Sequence, residues 1–176
     1  MLDYIKDTQK KDISYINKLN LYSNGQYLEL DVNTRRNLEL TESMRNKERT
    51  FSLLWLLDET KTAMGSRKLK SYLEAPLTNI NEINKRYNTV DKLLEEFILS
   101  EELRKYLYEV YDLERLCGRI SLGSANGRDL IQLKNSLKVL PEINNILKEI
   151  GYKQLDDVSS LYNLLEASIY ETPPIT

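Results

Sequence analysis

Residues 79–97 read NINEINKRYNTVDKLLEEF, and their apolar members fall at Ile83, Tyr87, Val90, Leu94 and Phe97. Steps of three and four place these side chains on one face of a helix, with none of the alternation a strand would show. Asn79, followed three residues later by Glu82, is the matching start signal. It is an Asx form of the capping box, in which each side chain satisfies the other's free backbone N–H.

The same reading extends upstream. Thr62 to Ala75 forms a helix that Pro76 ends. Between Ser52 and Glu59 lie Leu53, Leu54, Trp55, Leu56 and Leu57, apolar on all sides. A helix so short and so apolar is expected to be buried between others, with Trp55 in the core rather than in a ligand platform. Asn24-Gly25 marks a turn, Tyr27 to Asp31 alternates briefly like an extended segment, and a helix follows with Asp31 or Asn33 as its cap. Residues 1–16 read as a polar helix with Leu2, Ile5 and Ile13 inward.

Downstream, Ser100 with Glu101 and Glu102 opens a helix whose positive end the acids suit. Asp112 caps the next, which carries Leu113, Leu116, Cys117 and Ile120. Asn126 with Asp129 caps another, whose face is Leu130, Leu133, Leu137 and Leu140. A last helix from about Asp156 to Tyr170 turns Val158, Leu161, Leu165 and Ile169 inward, and Thr172-Pro173-Pro174 stops it. The fold class is all-α, an irregular multi-helix array with at most one short extended segment near 27–31. No fixed period repeats, so a solenoid is not expected.

Composition narrows the functions. The 176 residues are 41% hydrophobic and 30% charged with 6 Gly and 4 Pro, the profile of an ordinary folded domain. Such a length can bury roughly 70% of the extended chain's surface without disulfide or metal staples. The single cysteine, Cys117, has no internal partner, and no secretory leader opens the chain; both fit a reducing cytoplasm. Charges interrupt every leucine-rich run, so no bilayer span and no membrane partner are expected. A net charge of -2 gives the whole chain no bulk attraction for polyanions. The absence of histidine removes the commonest general base and the usual zinc ligands.

Several constellations invite a functional reading. Gly118 and Gly123 have the glycine spacing of a phosphate-binding loop, but Ser124 and Ala125 stand where lysine and a hydroxyl residue are needed, so a helix end and turn is the better reading. The neighbouring acids Glu95-Glu96, Glu101-Glu102 and Asp156-Asp157 point about 100° apart on a helix and enclose no substrate. Basic residues gather between Arg35 and Lys70, and Arg35, Arg36, Arg67 and Lys70 are the DNA-facing candidates among them, although acids such as Glu39, Glu42 and Glu74 interleave. The 12 tyrosines suit the wet edges of helix packings rather than a stacking platform. Gly65 sits inside a helical pattern at a cost near ~1 kcal/mol, which suggests that another backbone passes close to it.

Four stretches carry a resemblance to a known family. They are Leu30-Asp31-Val32-Asn33-Thr34-Arg35-Arg36-Asn37-Leu38-Glu39-Leu40; Leu53 to Asp58 running through Thr60, Thr62, Met64-Gly65-Ser66-Arg67, Leu69-Lys70 and Pro76-Leu77; Asp112-Leu113-Glu114-Arg115-Leu116 with Arg119, Arg128-Asp129-Leu130 and Leu140-Pro141; and Thr172-Pro173-Pro174. In this order they resemble the front part of the helical core, or lever, domain of MutS-type DNA mismatch repair proteins. Residues 1–26 resemble the helix and turn leading in from the connector domain, and 27–176 the first core segment, ending just before the clamp. The resemblance implies a dimeric, DNA-encircling ATPase whose mismatch-reading domain, clamp and P-loop ATPase lie outside this sequence. It therefore implies no catalytic residue and no cofactor here, with ATP and Mg belonging to the full-length protein.

Its implied partners are the connector, clamp and ATPase domains, mismatched duplex DNA through the full-length dimer, and a MutL-type protein. It also makes Asp112, Glu114, Arg115 and Arg119 candidates for a structural charge network that fixes helix orientation. The rival readings are a helical protein-interaction module unrelated to repair, an enzyme, and a weak independent DNA-binding domain using Arg35 to Lys70.

Overall fold

The computed structural model describes residues 2–9, 25–170 and 172–173 of the chain. It is an array of helices, and among the described residues there is no sheet. The first helix, α1, spans Leu2–Gln9, with Ile5 half-buried. The remainder of the helix expected over 1–16, with Ile13, lies outside the described residues, as does Asn24.

The extended segment is present as a single antiparallel bridge between Tyr27 and Leu77. Leu28 N donates to the Pro76 carbonyl at 2.8 Å and Thr78 N to the Gln26 carbonyl at 3.2 Å. Proline has no N–H to give, so pairing here runs through its carbonyl and through its neighbours. Helix α2, Val32–Asn37, then starts on Asp31, whose carboxylate accepts from Thr34 N at 2.6 Å.

Helix α3, Leu53–Leu57, is capped by Ser52, which accepts from Trp55 N at 3.2 Å. Its surroundings correct the expectation of all-round burial. The helix hangs on residues 39–40 by bonds from Leu53 N to the Glu39 carbonyl and Leu54 N to the Leu40 carbonyl, and packs on one other helix, α4 (Ala63–Glu74). Five residues make less than two turns, so only one side can face inward. That side holds Leu54, while Trp55 is 48% exposed and packs at the surface against Phe51, ring centroids 5.4 Å apart.

Helix α5, Ile80–Glu95, begins on Asn79 as expected, its side chain accepting from Asn81 N at 2.9 Å and Glu82 N at 3.4 Å. The reciprocal half of the box is replaced: the Glu82 carboxylate accepts from Lys85 at 2.6 Å. The apolar face marked by the sequence is mostly uncovered. Tyr87, Val90, Leu94 and Phe97 are exposed, and the half-buried flank is instead Ile83, Arg86, Thr89 and Leu93. Arg86 stacks over the Tyr72 ring of α4 at 3.7 Å, and this contact holds α5 by that flank.

Helix α6, Phe97–Tyr108, restarts at Glu96 rather than at Ser100, because the chain leaves helical geometry for that one residue (φ -97°, ψ 61°). Asp112 caps α7, Leu113–Ser121, by accepting from Arg115 N at 3.3 Å. Helix α8, Gly127–Lys138, carries a full reciprocal box, Asn126 accepting from Asp129 N at 3.0 Å and Asp129 from Asn126 N at 2.9 Å. Helix α9, Leu140–Glu149, follows with Pro141 in its first turn, where a missing N–H costs nothing. Helix α10, Ser159–Ser168, is shorter than the span expected from Asp156 to Tyr170.

The core lies where α7, α8 and α10 meet. Leu116, Leu133, Leu137 and Leu165 form it, with Leu113, Leu130, Leu140, Val158, Tyr162 and Ile169 packed around them. Cys117 and Ile120 are exposed rather than inward, and Leu161 is 40% exposed because Tyr162 takes the inward place on α10. Ser136, with 0% exposure, is tolerated inside because its hydroxyl accepts from Tyr111 N and donates to the Gln132 carbonyl, each at 2.9 Å.

Candidate functional site: a charged joint between α4 and α7

Thr62 starts α4 by accepting from Gly65 N at 2.9 Å, and two residues beyond Gly65 the helix presents Arg67. Its guanidinium meets the beginning of α7, where Asp112 and Glu114 stand at the positive helix end. Arg67 donates Nη1 to Asp112 Oδ2 at 2.8 Å and Nη2 to Asp112 Oδ1 at 2.7 Å, a two-point fork. Its Nε and Nη2 also reach Glu114 Oε2, at 2.9 and 2.5 Å. One arginine thus ties together helices whose contacting residues are 45 and 47 positions apart in sequence.

The electrostatics follow from this geometry. The hydrogen bonds from Arg67 hold the Asp112 carboxyl below its ordinary value, against burial, and Arg67 itself is held more firmly protonated by Asp112 and Glu114. Arg115 reaches Asp112 Oδ2 at 3.4 Å but its side chain is 80% exposed. Arg119 turns to another carboxylate, Asp129, at 2.7 Å, where the Asp129 side chain keeps only 6% of its exposure. The four residues named for one charge network therefore divide between two ion-pair groups. The residues missing from that set are Arg67 and Asp129; no local spacing could reveal the first, while the second was visible only as a capping partner.

A second cluster supports the same end of α4, through Ser66 next to Arg67. Asp58 accepts from Thr60 Oγ1 and from Ser66 Oγ, each at 2.5 Å, from Thr60 N at 3.2 Å, and from Arg49. Burial pushes the Asp58 carboxyl up, but the bonds from Ser66, Thr60 and Arg49 together outweigh it and hold the group at about 2. A depressed carboxyl stabilises the fold fully above its ordinary value of 3.8 and loses that contribution as pH falls through about 2. Acid titration followed by circular dichroism should therefore show Asp58→Asn removing part of the stability loss between pH 4 and pH 2. An unchanged acid profile in the variant would refute this role.

Gly65 immediately precedes Ser66 and Arg67, the residues by which α4 joins the two clusters. A Cβ placed on it would stand 3.1 Å from Thr62 Oγ1 and 3.2 Å from Thr60 Cβ. The close neighbours are side chains of the preceding loop rather than a second backbone. Both are fixed, Thr62 as the cap and Thr60 by Asp58, so neither can give way without breaking a bond. Gly65→Ala should therefore lower the melting temperature despite alanine's helix propensity advantage of about 1 kcal/mol. A raised melting temperature would show that the loop relaxes.

Of the basic residues expected to face DNA, Arg67 is engaged in the joint. Arg35, Arg36 and Lys70 line a cleft of about 420 Å³ together with Lys47. Gly118 lies within α7 and Gly123, at φ 66°, closes the turn after it, the arrangement of a helix end. No helix among the described residues is long and apolar enough to cross a membrane.

Residues 33–176 match the family model described as MutS domain III. The chain is 46% identical to a DNA mismatch repair protein MutS of Staphylococcus epidermidis, an alignment covering 100% of the chain and 21% of that protein. It is 43% identical to a Bacillus subtilis protein of the same name over 98% of the chain and 21% of that protein. The corresponding protein of Acetivibrio thermocellus is 42% identical over 99% of the chain and again 21% of its own length. The chain thus spans about a fifth of these relatives. With the domain model covering most of its length and the relatives nearly all of it, the chain belongs to the MutS family, as a domain III segment.

Proposed function

We propose that this segment serves as the core, or lever, of a DNA mismatch repair ATPase, carrying a conformational change between ATPase and DNA clamp with no catalytic site of its own. Residues 1–26 lead in from the connector, and 27–176 form the first core segment. ATP and Mg act elsewhere in the complete protein, whose partners are its own connector, clamp and ATPase domains, mismatched duplex DNA and a MutL-type protein.

The observation that carries this reading is the Arg67 joint. A lever needs elements that stay rigid while their mutual angle is set at discrete contacts. The packed core of α7, α8 and α10 is such an element, and Arg67 fastens α4 to it at one point through side chains alone.

The test uses the complete protein carrying Arg67→Ala. ATP hydrolysis without DNA should change little, while the effect of a mismatched duplex on hydrolysis should fall roughly fivefold or more, the scale of a coupling free energy of 1 kcal/mol. Equal loss of hydrolysis with and without DNA would count against the lever reading. So would tight, mismatch-selective DNA binding by the isolated 176-residue chain in fluorescence anisotropy.

A further inference from the structure

Some cations among the described residues are matched by carboxylates. Arg49 pairs with Asp58, Arg67 with Asp112 and Glu114, Lys85 with Glu82, Arg104 with Glu101 and Arg119 with Asp129. The cleft beside α2 brings several cations to one concavity. Four cationic side chains, Arg35, Arg36, Lys47 and Lys70, line its approximately 420 Å³. Among the described residues, Arg35, Arg36 and Lys47 have no carboxylate within ion-pair distance, and Lys70 has only a long contact to Glu74, 3.8 Å. Arg35 uses Nε to hold the Leu30 carbonyl at 2.9 Å, which orients its guanidinium without neutralising it.

The walls add two further features. Thr41 and Ser43 bring hydroxyl-bearing side chains to the same cleft. The loop that supplies Lys47 is held in an unfavourable shape: Glu39, Lys47 and Phe51 all lie at positive φ, 48°, 55° and 67°, and none is glycine. Such conformations are unfavourable for residues with a Cβ and persist only where the surroundings enforce them. Here the Glu39 carboxylate accepts from Met44 N at 2.6 Å and Ser43 N donates to the Glu48 carbonyl at 2.8 Å, knitting the loop around the cleft. Glu42 and Glu74 also line it, leaving an excess of two positive charges over the six charged side chains.

We propose that this cleft is a phosphate-binding site, in which Arg36 and Lys47 supply the principal charge and Arg35 and Lys70 flank the oxyanion. Guanidinium forks match the geometry of phosphate oxygens, lysines add point charge, and hydroxyls can complete the shell. The phosphate could come from a free polyphosphate or from a nucleic-acid backbone, and the chemistry of the walls is the same for both. Nothing in this proposal depends on the lever reading.

Titrating the 176-residue chain with inorganic pyrophosphate, followed by amide chemical shifts, should move residues 35–47 in a saturable way. Both R36Q and K47Q should weaken the binding severalfold, while Arg128→Gln on α8 should leave it unchanged. Arg36 and Lys47 have no ion-pair partner among the described residues, so these variants keep their melting temperature. Duplex DNA that pyrophosphate displaces from the same residues would identify a backbone phosphate as the source; pyrophosphate binding without duplex binding would identify a free polyphosphate. The proposal is overturned if 10 mM pyrophosphate leaves residues 35–47 unmoved, or if the weakening is equal in Arg128→Gln.

Discussion

Leu116→Ala should destabilise the chain by about 2 to 5 kcal/mol, a thermal shift of roughly 4 to 20 °C for a domain of this size. Leu116 is 4% exposed and sits where α7 meets the leucines of α8 and α10, so truncation leaves a cavity walled by three helices. Those walls are anchored independently, α8 by its capping box and α10 by the ion pair from Lys134 to Glu166 at 2.9 Å, which limits collapse into the space. Ile120→Ala, one turn further along α7 but 39% exposed, should cost well under half as much. Equal losses for the two variants, measured by urea denaturation, would mean that the inward face of α7 has been misplaced.

Asp129→Ala should cost about 2 to 3 kcal/mol, more than a helix cap alone supplies. The carboxylate has two tasks at one buried point. Its Oδ2 accepts from Asn126 N, closing the capping box, and its Oδ1 accepts from Arg119 Nη1 at 2.7 Å, joining α7 to α8. Removal takes the acceptor from the Asn126 N–H at the helix start, but Arg119, half exposed, can turn to water, which keeps the loss below that of breaking a fully buried pair. Asp129→Asn retains an acceptor for the cap and gives up the charge, so it should lose about half as much. If Asp129→Ala and Asp129→Asn were equally destabilising, the ion pair would be the whole effect and the cap none of it.

What the sequence disclosed and what it concealed divide along the range of the interactions. Asp31, Asn79, Asp112 and Asn126 were legible as caps because each acts on an N–H two or three residues ahead. The face of α8 was legible because its neighbours cover it on the side its leucines mark. The stripe that starts on α5 was equally periodic, yet four of its five members, Tyr87, Val90, Leu94 and Phe97, are exposed, since periodicity states which side is apolar and not whether anything covers it. Trp55 and its leucine neighbours misled for a related reason: a five-residue helix shares its surroundings with too few elements to bury all sides. In the joint, Asp112 and Glu114 were named from motif and charge density, but their partner Arg67 had been assigned to a DNA-facing group. No spacing rule connects residues 45 positions apart. Only the fold brings them together.

The Arg67 fork also has a kinetic meaning. Bringing its ends together closes a loop of some 45 residues, for which the length-dependent entropy alone is about 3 kcal/mol. A partly exposed ion pair returns much less than that, so it cannot nucleate the closure. The intervening α5 and α6, rather than the ion pair, span the distance between α4 and α7. Such a fastening is expected to open locally, at a free energy well below that of global unfolding. Amide hydrogens around Asp112 would exchange through that local opening while those beneath Leu133 wait for the whole domain to come apart.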